Sequence, residues 1–253
     1  MFFDHFATAV IKNNLLGKDF DISAWSEGLL NCTELENTLA RLYYVFKALG
    51  RISFPIFCFC LVIGYLHTRN IKKYILRLAI FAIISEIPFD MAFYGPETSS
   101  IIPLFTFEHQ NVILTFLISI LTILGIDYFG TNLKGLRKQE YTVRSAAVYR
   151  LLVLIIGILL SYFLKTDYSY VGLMMLVLIF LTRDFKKFNL VATGILAYAS
   201  SPFALFSLPF IALYNGKKGR GFKYFFYVFY PLHLFLLSAF RSELGSLLLS
   251  ILN

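Results

Sequence analysis

Residues 77–93, RLAIFAIISEIPFDMAF, give the strongest indication of the fold. This stretch is apolar over almost the length of a membrane-spanning helix, which needs roughly 20 such residues. Yet it contains Arg77, Glu86 and Asp90, with Pro88 between the two acids. A charged side chain inside hydrocarbon costs on the order of 2.5–3.5 kcal/mol on insertion scales. The stretch therefore predicts a helix whose charged side chains face the interior of a bundle and form a functional site there.

The rest of the chain repeats this apolar character. Of its 253 residues, 58% are hydrophobic and only 15% are charged. A soluble domain of this length would cover one core with a charged surface, and the composition excludes that class. We predict an all-α, polytopic transmembrane bundle of about 8–9 spans, with one domain over 1–253 and a polar outer segment at about 12–41. The predicted spans are about 1–11, 42–66, 74–94, 109–129, 146–164, 168–182, 189–200, 202–215 and 224–240.

The short polar loops alternate between basic and non-basic. The basic loops are 67–73, 130–144, 183–187 and 216–223. The positive-inside rule places them in the cytoplasm, and it accounts for the net charge of +8 without a nucleic-acid partner. The alternation also favours two short helices over one kinked span at 189–215, because a single span would place the last basic loop outside.

The sequence carries no motif for a metal or a serine nucleophile. Cys32, Cys58 and Cys60 have neither metal-ligand nor redox spacing. The sequence also lacks a GxSxG elbow. We therefore predict no metal cofactor.

Five polar side chains are predicted to reach a similar layer of the bundle. Counted from the outer end of each span, Arg51 and Glu86 lie roughly 12–13 Å deep, and Asp90, His5 and His233 roughly 6–10 Å deep. Glu86 and Asp90 are four residues apart and share a helix face. Two like charges there need a cation between them or one protonated acid, and Arg51 is the expected cation. Histidine adds a proton-transfer group.

Two interpretations stay open for several of these residues. Asp4 and His5 are adjacent and so point to different helix faces, which means that an Asp–His pair of base and orienting group would need other residues to bridge it. An ion pair of Arg51 with Glu86 could serve only to fix helix register. His233 could be a buried core histidine. The outer end of the fourth span carries polar side chains that could bind an acceptor or cap the helix, namely His109, Gln110 and Asn111.

Seven stretches occur in an order typical of one known family. They are DH (4–5), RISFPIF (51–57), GYLHTRNIKKYILRL (64–78), SEIPFD (85–90), HQNV (109–112), TDYSYVGLMML (166–176) and KYFFYVFYPLHL (223–234). Each is modest alone, but as an ordered set over nearly the whole chain they resemble the TraX family, the F-pilin acetylase group of membrane proteins.

The resemblance implies a multi-pass acyltransferase of the bacterial cytoplasmic (inner) membrane. Such an enzyme would move an acetyl group from cytoplasmic acetyl-CoA to the amine or hydroxyl of an acceptor at the outer half of the bilayer. The acceptor would be a pilin amino terminus, another pilin-like protein or a surface glycan. The expected partners are therefore the lipid bilayer, acyl-CoA and this acceptor.

The combined interpretation gives each residue a role. The predicted catalytic residues are His5, Asp4, Arg51, Glu86 and Asp90. His5 would act as general base or transient acyl carrier, and Arg51 would stabilise the oxyanion or hold the two acids. The cations predicted to bind the phosphates of acetyl-CoA are Arg69, Lys72, Lys73 and Arg77, with Lys134, Arg137 and Lys138 in the next loop. The residues predicted to bind the acceptor are His109, Gln110, Asn111 and His233.

Two other functions fit parts of the same pattern. Buried Arg, Glu, Asp and His side chains are also what a proton- or ion-coupled transporter needs, although the sequence has no internal repeat. A noncatalytic membrane partner of a surface assembly would explain the loops but not the buried charges. A transporter would move solute without consuming acyl-CoA, and a partner protein would tolerate neutral replacements of Arg51 and Glu86.

Overall fold

The computed structural model describes residues 1–94, 109–130, 143–217 and 225–252. Within these residues every element is helical and no β-sheet forms, which confirms the all-α class. The helices are α1 (Phe2–Phe6), a π-helix (Ala7–Leu16), α2 (Ile22–Ser26), α3 (Glu34–Arg51), α4 (Ser53–His67), α5 (Ile71–Phe93), α6 (Val112–Tyr128), α7 (Val143–Phe163), α8 (Ser169–Leu181), α9 (Lys186–Ser200), a 3₁₀ helix (Pro202–Ser207), α10 (Leu208–Ala212), α11 (Phe225–Ala239) and α12 (Arg241–Leu252).

The predicted break in 189–215 is present. Helix α9 ends at Ser200, the backbone is extended at Ser201, and Pro202 begins the 3₁₀ helix. Proline has no N–H to continue the α-helical ladder, which explains the position of the break. The stretch is therefore broken after α9, as the loop charges predict, and its second part consists of the 3₁₀ helix followed by α10.

The predicted polar segment at about 12–41 is partly taken up by helices, so the connection between them is shorter than the sequence suggests. The π-helix runs on to Leu16, and α3 begins at Glu34. Thr33 and Glu36 form a capping box at that start, with each side chain accepting from the other residue's backbone N–H at 3.2 and 2.8 Å.

Two helical segments are long and apolar enough to cross a membrane, among the described residues. These are Glu34–His67, which joins α3 and α4, and α7. Helices α11 and α12 would add a third only as one span bent by 72°. Helices of 17 and 13 residues such as α6 and α8 fall short of a bilayer core of roughly 30 Å. The count of 8–9 spans therefore stays a prediction.

Apolar surface nevertheless marks the chain as suited to lipid. Helix α7 exposes a series of large aliphatic side chains, among them Leu151, Leu152, Ile155, Ile156, Leu159 and Leu160. Soluble proteins rarely expose so continuous an apolar face. The helix composition is thus that of a membrane protein.

The chain divides into two compact units. The first unit comprises Met1–Phe54, Ile84–Phe105 and Lys217–Asn253, and the second comprises Pro55–Ile83 and Thr106–Gly216. The prediction of one domain over 1–253 stays a prediction.

In the first unit the start of the chain lies against α3. A Cβ added at Gly50 would lie 2.7 Å from the backbone nitrogen of Asp4, so only glycine permits this approach. The π-helix then packs on α3 and on α12, with its Ala9, Val10 and Ile11 fully buried. These contacts fix the first turn of the chain, which carries the candidate site.

In the second unit α6 packs against α7 and α8. Its core contains Ile120 and Ile123 from α6 and Leu173 and Leu176 from α8, all with no exposed surface. The hydroxyl of Tyr65 donates to the Asp127 carboxylate at 2.8 Å and ties α4 to the end of α6.

Candidate functional site

Two histidines from distant parts of the chain form a buried pair in the first unit. His5 Nδ1 lies 2.7 Å from His233 Nε2, across 228 residues of sequence. The rings are almost parallel, at 5° and with centroids 5.0 Å apart. His5 is 5% exposed and His233 is 4% exposed. An imidazole–imidazole hydrogen bond therefore joins α1 to α11.

The neighbouring backbone sets the proton positions in this pair. His233 Nδ1 lies 2.7 Å from the carbonyl oxygen of Phe229. A carbonyl can only accept, so His233 Nδ1 carries the hydrogen. In the neutral pair His233 Nε2 must then accept, and His5 Nδ1 donates to it. The only ring nitrogen of the neutral pair that keeps an unused lone pair is consequently His5 Nε2.

Aromatic rings hold both imidazoles in place. Tyr230 contacts His5 and His233 edge to face, with centroids 5.8 and 5.5 Å away. Phe93 meets His5 edge-on at 5.4 Å, and Phe229 stacks on His233 at 4.8 Å. An apolar aromatic surround lowers the local dielectric, which strengthens the hydrogen bonds of the pair.

Asp4 forms a separate ionic cluster with α3. Its Oδ1 lies 3.1 Å from Lys47 Nζ and 3.4 Å from Arg51 Nε. Lys47 Nζ also donates to Thr8 Oγ1 at 3.1 Å. The two cations are four residues apart on one helix face. The cluster anchors the first turns of the chain on α3.

The structure adds pairings that the sequence did not predict. Asp4 faces α3 and His5 faces α11, so the group hydrogen-bonded to His5 is His233 and not Asp4. Arg51 forms an ion pair with Asp4, and its predicted pairing with Glu86 and Asp90 stays a prediction. Counting depth span by span missed this contact, because it did not anticipate that Gly50 lets α1 lie directly on α3.

Lys47 is the site residue that sequence reasoning missed. It lies inside a predicted span, as Arg51 does, and was not considered. The available signal was its spacing of four residues from Arg51, which places both cations on one face.

The two acids of α5 are buried as predicted. Glu86 is 5% exposed and Asp90 is 2% exposed, both in the first unit. The helix continues through Pro88, whose missing N–H deprives a preceding carbonyl of its helical partner. Three residues after Asp90, Phe93 contacts His5. A role for these acids with Arg51 stays a prediction.

The cations predicted for donor phosphates lie in the second unit. Arg69, Lys72 and Lys73 are exposed where α4 turns into α5. Arg77 is half-buried, and its Nε has no hydrogen-bond partner among the described residues. Such available cations suit phosphate groups. Three further predicted cations, Lys134, Arg137 and Lys138, lie outside the described residues.

The residues predicted to bind the acceptor differ in their surroundings. Asn111 is fully buried and caps α6, accepting from the N–H groups of Ile113 and Leu114, while its Nδ2 donates to the Ala82 carbonyl at 2.8 Å. His109 is exposed and Gln110 is half-buried. The geometry of Asn111 matches the capping alternative, and acceptor binding by the group stays a prediction.

Metal ligation was not expected. Across the described part of the chain, no three His, Cys, Asp or Glu side chains come together as a metal group. The prediction of no metal stays a prediction.

Comparison with known proteins adds a family and one relative. The family described as "TraX protein" matches residues 1–241, a range that contains both histidines of the pair. A curated protein from Dichelobacter nodosus, "Probable fimbrial assembly protein FimC, serogroup H1", is 27% identical over 203 residues, covering 77% of this chain and 82% of that protein. No solved structure matches the chain.

Proposed function

This chain belongs to the TraX family, and from that premise we propose that it is a membrane-embedded acyltransferase. It would move an acetyl group from cytoplasmic acetyl-CoA to an amine or hydroxyl of an acceptor. The observation that carries the proposal is the buried pair of His5 and His233, because it presents one oriented basic nitrogen at His5 Nε2.

The base works by moving one proton. His5 Nε2 takes the proton of the acceptor N–H or O–H while the acceptor's lone pair bonds to the acyl carbonyl carbon. As the carbon–sulfur bond breaks, His5 returns that proton to the leaving sulfur. The products are the acetylated acceptor and the free thiol of CoA. Acetyl-CoA supplies the activated carbonyl as a thioester.

His233 stabilises the charged state of this base. When His5 is protonated at Nε2, its Nδ1–H still donates to His233 Nε2. His233 in turn donates to the Phe229 carbonyl at 2.7 Å. The positive charge is thus stabilised by a chain of hydrogen bonds, in the way that an orienting group supports a catalytic histidine.

The Asp4 cluster acts as a positioning device in this scheme. Lys47 and Arg51 hold Asp4 on α3, and His5 is the next residue. Displacing Asp4 would rotate or shift the turn that aims His5 at its partner. Neither cation needs to touch the reacting atoms for this role.

The acceptor class is proposed from the relative. A protein described as a fimbrial assembly protein shares 27% identity with this chain, which favours a pilin-like subunit over a surface glycan. A donor site at Arg69, Lys72, Lys73 and Arg77 is part of the same proposal. So is a multi-pass location in the bacterial inner membrane.

A second candidate is a proton-coupled transporter. Its support is that Glu86 and Asp90 are buried in the same unit as the histidine pair, and buried ionisable groups of this kind can relay protons. Such a protein would carry protons with a solute and leave acetyl-CoA unconsumed.

The test is transfer of radioactive label from acetyl-CoA in inverted membrane vesicles supplied with a pilin-containing membrane extract. Wild type is compared with His5→Ala, and His67→Ala is the matched control, since His67 is an exposed histidine in the second unit. We expect label in an acceptor with wild type and control, and none with His5→Ala. Folded wild type that consumes no acetyl-CoA would overturn the proposal, and solute-dependent proton flux under those conditions would favour transport.

A further inference from the structure

The second unit contains a cavity of about 250 Å³ that the proposed acyl transfer does not use. Its walls are apolar and come from four helices, with Phe59 and Val62 from α4, Ile179 from α8, Leu190 from α9 and Ile211 from α10. A space so lined favours a hydrocarbon chain over a polar ligand.

Two cations, Arg183 and Lys186, also line this cavity. Arg183 is held in place, since its Nη1 donates to the Phe180 carbonyl at 2.7 Å and its Cζ lies 4.2 Å from the centre of the Phe180 ring. Lys186 is exposed. No carboxylate of the described residues forms an ion pair with either side chain. Their charge is therefore available to an anion.

The same end of the cavity is rigid and offers backbone donors. Lys186 is the first residue of α9, and Phe185, in the N-cap position, provides no side-chain acceptor. The N–H groups of a first helical turn without a cap suit an anion. Asn189 donates to the Ile179 carbonyl at 2.9 Å and to Thr182 Oγ1 at 2.8 Å, which fixes α9 to α8.

We propose that this cavity binds one acyl chain of an anionic phospholipid, with the phosphate held by Arg183 and Lys186. The volume is below the roughly 300–1,000 Å³ of whole small-molecule sites, so part of a larger molecule enters it. An apolar interior with cations at one end matches a chain attached to a phosphate. The amide-bearing arm of acetyl-CoA would need hydrogen-bonding groups along its length, and the apolar walls do not offer them.

The test measures lipid affinity on the full chain in detergent by native mass spectrometry. The probes are phosphatidylglycerol and phosphatidylcholine with identical chains. We expect wild type to prefer phosphatidylglycerol and Arg183→Gln with Lys186→Gln to weaken its binding about thirtyfold. The matched control is Arg144→Gln with Lys165→Gln, which removes one arginine and one lysine that are exposed elsewhere in the second unit. We expect the control to bind as wild type does.

Further probes separate the contributions of chain, head group and donor. Ile211→Trp, which fills the cavity, should weaken both lipids, and the charge variant keeps the test valid if that protein fails to fold. Glycerol 3-phosphate without chains should not bind. Equal phosphatidylglycerol affinity in the charge variant and its control would overturn the proposal. Displacement of the lipid by equimolar acetyl-CoA would also overturn it and assign the cavity to the acyl donor. Neither outcome bears on the histidine pair.

Discussion

His5 and His233 are the same residue type in different chemical roles. The Phe229 carbonyl obliges His233 to carry its hydrogen on Nδ1, so His233 accepts from His5. In the proposed reaction the base is therefore His5, and His233 orients it. This asymmetry gives the two residues different expected mutant phenotypes.

Replacing His5 should lower the transfer rate more than replacing His233. His5→Ala should lower the transfer rate by on the order of 10²–10⁴, the usual contribution of a general base. His233→Phe keeps the stacked ring but removes the acceptor for His5 Nδ1, so a smaller loss is expected. The measurement is kcat/KM for label transfer, with correct folding checked by gel filtration. A His5→Ala rate equal to that of wild type would contradict the assignment.

The rate should rise with pH and then reach a plateau. Only the neutral pair has the lone pair on His5 Nε2, so a proton bound there blocks transfer. Because the imidazoles share a hydrogen bond, the pH at which the rate rises is a property of the pair and not of either residue alone. The measurement is label transfer from acidic to neutral pH at saturating donor. A rate that falls as pH increases through this range would contradict the assignment of His5 as base.

The Asp4 cluster should contribute to stability. Asp4→Asn removes the carboxylate that contacts the partly buried Lys47 and Arg51, and we expect the free energy of unfolding to fall by about 1–2 kcal/mol. Adding Lys47→Met should recover part of it by removing one of the two repelling cations. Thermal unfolding in detergent measures both variants, with the exposed Asp19→Asn as control. If Asp4→Asn unfolds at the same temperature as Asp19→Asn, the cluster has no structural role.

Sequence reasoning located most of the site but not its pairings. Polar residues such as His5, Glu86 and Asp90 stand out in apolar stretches, and the structure confirms that all three are buried. Which side chains pair depends on how each helix is rotated and how closely the helices approach, and the local sequence does not show either. Lys47 was missed for this reason. Asn111 was ambiguous because a capping asparagine and a ligand-binding asparagine look alike in sequence.

At the scale of the element, helix positions were largely predictable. Long apolar runs ended by proline, glycine and charged loops predict helices, and the break at Ser201 agrees with this. The π-helix at Ala7–Leu16 was not predictable, because composition does not determine to which carbonyl each backbone N–H donates. π-helical turns are rare overall but occur often at functional sites, and this one begins two residues after His5.

Two glycines offer a matched test of helix packing in the first unit. A Cβ at Gly50 would meet the backbone of Asp4, whereas a Cβ at Gly245 would meet the side chains of Asn14 and Leu15. Both changes to alanine gain helix propensity of about 1 kcal/mol. We expect Gly50→Ala to be destabilising by about 1–3 kcal/mol, because backbone must move, and Gly245→Ala to be nearly neutral.

The readouts are the thermal midpoint and label transfer of each variant. Gly50→Ala should lose transfer in folded protein, since α1 carries His5. Equal midpoints and equal transfer for the two variants would mean that the close approach of α1 to α3 determines neither stability nor activity.

At the scale of the whole molecule, helix class and membrane character follow from composition, and the number of crossings does not. Helices α6 and α8 are apolar yet short, so length alone does not say whether each one crosses. Helix α7 is the clearest case, with 21 residues and exposed aliphatic side chains. The positive-inside rule predicts that its start lies in the cytoplasm.

Reporter fusions can test that crossing. Alkaline phosphatase fused after Gly130 should be inactive, because the enzyme works only outside the cytoplasm, and a fusion after Asp167 should be active. Activity at both positions, or at neither, would show that α7 does not span the membrane. Fusions after Arg69 and Asp184, both expected inactive, extend the test to two more of the basic loops.

The hydrogen bond between residues 5 and 233 has a consequence for biosynthesis. His5 and His233 are 228 residues apart in the chain, so a nascent chain leaving the ribosome holds one half of the pair until α11 is made. A product terminated before α11 would therefore keep His5 and the Asp4 cluster yet lack the hydrogen-bonded pair. Under the proposed function, such incomplete chains would not modify their neighbours.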